Sequence, residues 1–182
     1  MPNQVADRLF GHRTFVRQIK TEDARAIVAC LNTSSEVPSN LEFFSKRIPT
    51  LNEEKAWIRS TLKRMKAGQE IVFAVETSDE KNFIGTAGLH EIDWKNKNAR
   101  IGITIFNEKF HGQGYAREII SLLQEQAFNW LCLKKVFMNF RPNNEKMRRI
   151  AAVLGYREVG ILKSEYFWRG EWLDLVRHEL VK

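Results

Sequence analysis

The chain has 182 residues, is 43% hydrophobic and carries a formal net charge of +7. That length supports one sizeable core and leaves little room for a second ordinary domain, so a single domain over 1–182 is expected, with 1–11 as a flexible lead-in. No apolar run approaches the roughly 20 residues of a membrane span, residues 1–11 are polar and charged unlike a secretory signal, and the expected location is the cytoplasm with no membrane partner.

In chain order, residues 13–19 alternate (Phe15, Arg17 and Ile19 against Thr14, Val16 and Gln18) and predict an opening strand. Thr21, Glu22 and Asp23 then offer a helix start, with Ala24, Ile27, Val28 and Leu31 at helical spacing. Residues 32–49 break every period and predict a functional loop or a short helix around 41–47. Thr50-Leu51-Asn52-Glu53 has the spacing of a capping box and opens a helix that Gly68 ends. Runs at 71–75, 82–92 and 100–106 predict three strands joined by short polar turns, an antiparallel meander. A helix over 115–131, a strand over 135–141 stopped by Pro142, a helix over 144–154 ended by Gly155 and a closing hairpin over 156–168 and 171–181 complete the order β-α-α-β-β-β-α-β-α-β-β.

Cys30 and Cys132 lie far apart in apolar helical patterns and predict two buried free thiols. His12, His90, His111 and His178 show no ligand spacing, and no Cys-x-x-Cys accompanies them, so no metal is expected. The basic residues fall in dispersed pairs, without a zinc-finger or RNP-like motif, which argues against nucleic acid as the primary ligand.

The most informative stretch is Lys109-Phe110-His111-Gly112-Gln113-Gly114-Tyr115-Ala116, where a strand pattern passes through two glycines into a helix. Backbone N–H groups converging at such a junction, with the positive end of the helix dipole behind them, suit a phosphate or pyrophosphate. Neither a Walker motif nor the three-glycine dinucleotide fingerprint is present.

Read as Lys109-x-x-Gly112-x-Gly114, the loop resembles the pyrophosphate loop of the GNAT superfamily of acyl-CoA-dependent N-acetyltransferases, with Lys109 where Gln or Arg is usual. The element order resembles the same fold over the whole chain: an α/β fold with a mixed, mostly antiparallel central sheet flanked by helices. Ile84-Gly85-Thr86-Ala87-Gly88-Leu89-His90, Ala99-Arg100-Ile101-Gly102-Ile103 and Leu154-Gly155-Tyr156 resemble the RimJ/RimL-type branch. The resemblance implies acetyl-CoA as cosubstrate, held by main-chain groups near Ile105 and Phe106, by the N–H groups of Gly112, Gln113, Gly114, Tyr115 and Ala116, and by Arg117 and Asn144. It implies transfer of the acetyl group to a primary amine, a protein or peptide N-terminal α-amine first, with a ribosomal protein as a candidate partner and a homodimer as a candidate assembly. Small amines (a polyamine, an amino-sugar, an antibiotic) are the alternative acceptors.

The chain departs from the family pattern at the acid and base. Many relatives place Glu where this sequence has Arg100, and Tyr where it has Ala151; Met147 stands where Ser or Ala is common. A non-catalytic acyl-CoA-binding module is therefore a further alternative. Glu91 and Tyr166 are the named replacement candidates, with His90, His111 and Asp93 nearby in sequence; alternation along the strand allows only one of His90 and Glu91 to face a cleft. Residues 32–49, with Glu36 and Glu42, are expected to help form the acceptor groove. Without a positioned base, kcat/KM is expected to climb with pH toward the amine's own pKa.

Overall fold

The alternating runs close into one eight-stranded sheet in the computed structural model, which describes residues 7–33, 47–168 and 170–182. Its strands are β1 (Arg8–Phe10), β2 (Thr14–Gln18), β3 (Ile71–Thr77), β4 (Phe83–Asp93), β5 (Asn98–Ile105), β6 (Lys135–Phe140), β7 (Arg157–Trp168) and β8 (Glu171–Val181), in the order β1-β2-β3-β4-β5-β6-β8-β7. Every neighbouring pair is antiparallel except β5 and β6, which run parallel. The sequence order of elements holds, with one addition. Residues 8–10 are not a flexible lead-in but a strand on β2, with Leu9 opposite Val16 and inside the core. Residues 41–46 of the expected helix near 41–47, and with them Glu36 and Glu42, lie outside the described residues.

Helices cover both faces of the sheet. Ile27 and Leu31 of α1 (Ala24–Thr33) and Ile58 of α2 (Leu51–Lys66) pack with Val72 and Phe106 on one face. Ile119, Ile120 and Leu123 of α3 (Tyr115–Glu125) and Ala151 of α4 (Glu145–Val153) pack with Leu89, Ile101 and Val136 on the other. Each buried Leu or Ile contributes roughly 1.5–3 kcal/mol of transfer free energy.

The capping box of α2 forms as its spacing predicts: Thr50 Oγ1 accepts from Glu53 N–H, and Glu53 accepts from Thr50 N–H. The long helix expected over 115–131 instead ends at Glu125 and widens into a π-helical turn, Gln126–Trp130. Beyond it the backbone of Cys132 turns left-handed (φ 52°), so this thiol is exposed instead of buried; Cys30 is half-buried, and both are free.

Two irregularities shape the middle of the sheet. A bulge between His90 and Asp93 sets Glu91 and Ile92 against Ala99 alone, with Glu91 at φ 52°; bulges bend a strand and add twist. On the other side of β5, pairing with β6 covers only Asn98↔Lys135, Ala99↔Val136 and Arg100↔Phe137. Past that point β5 stays with β4 as far as Ile105, while β6 stays with β8 as far as Phe140, and the two strands part.

Candidate active site

The parting of β5 and β6 opens a cavity of about 1230 Å³. Its walls include consecutive residues 100–104 of β5 and 138–141 at the end of β6, so it passes between the strands instead of resting on one face. The first turn of α4, with Asn144 and Met147, closes one end, and α2, with Glu53, Glu54 and Trp57, covers another side.

Alternation fixes which main-chain groups face the opening. Phe106 N–H donates to Ile84 O at 2.8 Å, so the even-numbered β5 groups point to β4 and those of Ile101, Ile103 and Ile105 point to the β6 side. The main-chain groups near Ile105 and Phe106 divide accordingly. Phe106 N–H belongs to the sheet, Ile105 O accepts from His111 Nε2 at 2.9 Å, and the exposed edge is centred one residue pair earlier, on Ile103.

The cavity wall runs up to Phe106 and His111, and the glycine loop follows directly. Gly112 and Gly114 have φ of 72° and 88°, a region open to glycine at little cost. A Cβ built on Gly112 meets nothing within 4 Å, and one on Gly114 meets only Arg13 Nη2, at 3.2 Å. Gly114 is the N-cap of α3 and offers no side chain to the N–H groups of the first turn, which have no intrahelical acceptor. Arg117 is exposed on that turn.

Sequence reasoning missed what braces this loop. Glu118 Oε1 accepts from Arg13 N (2.8 Å), Thr14 N (3.0 Å) and Thr14 Oγ1 (2.8 Å), and Arg13 Nη2 donates to Gln113 O (3.0 Å) while its guanidinium lies 4.5 Å from the centre of the Tyr115 ring. Burial pushes the Glu118 carboxyl up, but these hydrogen bonds and the Arg13 charge outweigh it and hold the pKa below its ordinary value. Glu118→Ala should destabilise the protein by about 2–3 kcal/mol in urea unfolding near neutral pH. The carboxylate's contribution is complete above its unfolded pKa near 4.3 and is lost as pH falls through the lower folded value, so the gap between wild type and variant should shrink in acid.

Asn144 lines the cavity and also caps α4, its Oδ1 accepting from Met147 N–H at 3.1 Å. Asn144→Asp keeps the capping acceptor and loses the Nδ2 donor. It should leave the melting temperature within about 1 °C and weaken CoA binding by about 1 kcal/mol, read by calorimetry. A change in stability alone would assign the residue to capping.

The replacement acid–base candidates separate. Glu91 lies in the wall, with its carboxylate held by Arg100 Nε at 2.8 Å. His90 is there too, because the bulge removes the alternation that would have turned one of the pair away. Tyr166 is not: it lies on β7, the edge strand separated from β6 by β8. Asp93 holds its turn by accepting from Asn96 N and Nδ2.

Two features of the wall were not read from sequence. One is a chain in which Arg64 Nε donates to Glu70 Oε1 (2.8 Å) and His90 Nδ1 to Glu70 Oε2 (3.1 Å), with the His90 ring against Gly88 and Gly102. Burial pushes the Glu70 carboxyl up, but His90 and Arg64 reverse the shift and hold it low. The other is Glu54, 5% exposed, with neither hydrogen bond nor ion pair among the described residues. Burial alone pushes its carboxyl up to about 7.

An open seam between parallel strands, a glycine turn at a helix N-terminus and a large cavity beside them define an acyl-CoA-type transferase architecture. The chain belongs to the GNAT acetyltransferases: its residues 13–157 match the Acetyltransferase (GNAT) domain family. It is an acetyl-CoA-dependent N-acetyltransferase. The chain is 29% identical over 174 residues to the uncharacterized N-acetyltransferase YoaA of Bacillus subtilis, covering 93% of this chain and 94% of that protein. Its fold is similar to that of the ribosomal-protein-S5-alanine acetyltransferase from Vibrio fischeri (TM-score 0.83, 21% identity, 96% of each chain). It is also similar to the spermidine N-acetyltransferase from Vibrio cholerae in complex with CoA and spermine (TM-score 0.77, 26% identity, 93% of this chain and 95% of that one). Among the described residues, no helix is long and apolar enough to cross a membrane, and no group of three His, Cys, Asp or Glu is arranged to hold a metal ion.

Proposed function

We propose that the enzyme acetylates a single-charged amine, foremost the N-terminal α-amine of a protein or peptide, a ribosomal protein being the partner that the S5-alanine relative suggests. The observation behind this reading is the pairing of the cavity's carboxylates. Glu53 is bound by Arg47 (2.6 Å), Glu70 by Arg64 (2.8 Å) and Glu91 by Arg100 (2.8 Å), and Glu145 has Arg148 within 3.8 Å. Among the described residues of the wall, Glu54 alone lacks a cation. One unanswered carboxylate among the described residues suits one ammonium group. A polyamine, with several, calls for several.

Acetyl-CoA would lie in the seam, its pantetheine amides pairing with the main chain of Ile103 and Ile105 as an added strand edge. Its diphosphate would accept from the N–H groups of Gly112, Gln113, Gly114, Tyr115 and Ala116, with Arg117 and Asn144 as side-chain contacts. The open space over both glycines and the uncapped first turn of α3 fit that role. The bound cosubstrate supplies the activated acetyl group; the protein aligns the amine with it and removes a proton.

The test compares kcat/KM for a short peptide with a free Ala N-terminus, the same peptide blocked at that amine, and spermidine. The free peptide should exceed spermidine at least tenfold at pH 7.5, and the blocked peptide should be inert. Preference for spermidine would overturn the acceptor assignment and favour the second reading, a polyamine acetyltransferase like the Vibrio cholerae relative.

A further inference from the structure

Glu54 occupies a position where its chemistry is out of place. Glu54, Ile58 and Thr61 recur at i, i+4 and i+7 on α2 and form its buried stripe, at 5%, 0% and 0% exposure. A carboxylate on such a stripe loses water, and when ionised it needs a partner. Among the described residues, the charged groups around the same cavity supply none: Arg141 after β6 and Lys146 on α4 line it without pairing with Glu54. Arg47 holds Glu53, Arg64 holds Glu70, Arg100 holds Glu91, His90 Nδ1 is turned to Glu70, and His111 Nε2 is turned to Ile105 O. Glu54 nevertheless lines the cavity, together with Thr104 and Phe106 on the β5 side and Asn139 and Phe140 on the β6 side of the opened seam.

We propose that Glu54 is the catalytic residue that receives the acceptor: its carboxylate pairs with the incoming ammonium and takes from it the proton that must leave before attack. This rests on the amine-acetyltransferase reading above but not on which amine is used. The proton passes from R–NH3⁺ to the carboxylate, leaving R–NH2 and a neutral Glu54. The nitrogen lone pair then attacks the thioester carbonyl carbon; the C–N bond forms, the C–S bond breaks, and the electron pair leaves on sulfur. The second proton lost from nitrogen is taken by the departing thiolate, and Glu54 returns its own proton to solvent.

Energetics favour this group over an ordinary glutamate. Transfer from an α-ammonium near 8 to a carboxylate near 4.3 is uphill by nearly four pKa units, whereas burial brings Glu54 to about 7 and leaves about one unit. A base near the working pH is both ionised often enough and basic enough to act. The family's usual Glu position, here Arg100, is thereby replaced from a different element of the fold.

The experiment compares wild type, Glu54→Gln and His90→Gln. With the Ala-initiated peptide, and in parallel with spermidine, wild-type kcat/KM should rise with pH and level off near 7. Glu54→Gln should lower it about 10²–10⁴-fold at pH 7 and let it go on rising toward the amine's own pKa. His90→Gln should keep the inflection near 7 whatever it does to the rate. A second readout needs no cosubstrate or acceptor. Because the folded pKa of Glu54 lies above its unfolded value, the wild type should lose thermal stability relative to Glu54→Gln as pH rises from about 4.5 through 7. An unchanged rate profile in Glu54→Gln, an inflection that vanishes in His90→Gln instead, or an equal melting difference at pH 5 and pH 8 would each overturn the proposal. Turnover of spermidine alone would remove the peptide acceptor and leave the Glu54 test readable on that amine.

Discussion

Gly114→Glu should abolish acetyl-CoA binding. Low-micromolar affinity in the wild type, about −7 to −8 kcal/mol, is the expected starting point, and the variant should show no saturation below 1 mM, a loss of about 4 kcal/mol. Three effects act together. The backbone of Gly114 is left-handed at φ 88°, where a residue with a Cβ costs roughly 1–2 kcal/mol; the new Cβ meets Arg13 Nη2 at 3.2 Å; and a carboxylate would occupy the mouth of a helix dipole where phosphate is to sit. Calorimetry on both proteins decides the matter, with Gly114→Ala separating backbone strain from charge. Retained affinity in the glutamate variant would remove the loop from the site.

Arg17→Met should cost about 3–5 kcal/mol of folding free energy and lower the melting temperature by about 6–20 °C. Its guanidinium binds Asp23 with both terminal nitrogens (2.7 and 2.9 Å) and Glu76 Oε1 through Nε and Nη2 (2.9 and 2.6 Å). All three side chains are at most 19% exposed. These acidic partners hold the Arg17 pKa above its ordinary value against the opposing effect of burial. Removing the arginine leaves the buried Asp23 and the half-buried Glu76 without their shared cation, and the loss falls on the junction between β2 and the start of α1. A loss below 1 kcal/mol in urea unfolding would show that water replaces the guanidinium.

Much of this architecture was legible because its signals are local. The start of α2 is readable from Thr50 and Glu53, whose reciprocal bonds span three residues, and the glycine turn is readable because φ near +70 to +90° selects glycine whatever surrounds it. β1 was not readable: a strand of three residues with one inward side chain, Leu9, offers no period. The Arg64–Glu70–His90 chain depends on how β3 and β4 align, which no single run of sequence contains. His90 and Glu91 misled the strand rule because a bulge, itself a pairing event, cancels alternation there. Glu54 was hidden by a commonplace, since an acidic residue in the first turn of a helix ordinarily faces water and stabilises the dipole; only the packed fold reveals that this one faces inward.

The three-residue ladder between β5 and β6 has a mechanical consequence. It divides the sheet into two plates, β1 through β5 and β6 with β8 and β7, stitched along one short seam and otherwise left open. An extended molecule bearing amides and laid in the opening would act as a missing strand, completing hydrogen bonds that the polypeptide leaves undone. The plates would then move as one. Under that arrangement the cosubstrate becomes part of the scaffold while it is bound: the N–H groups of Ile103 and Ile105 would exchange slowly with solvent in its presence and quickly in its absence, and the enzyme would stiffen at the moment it is charged and loosen once the acyl carrier departs.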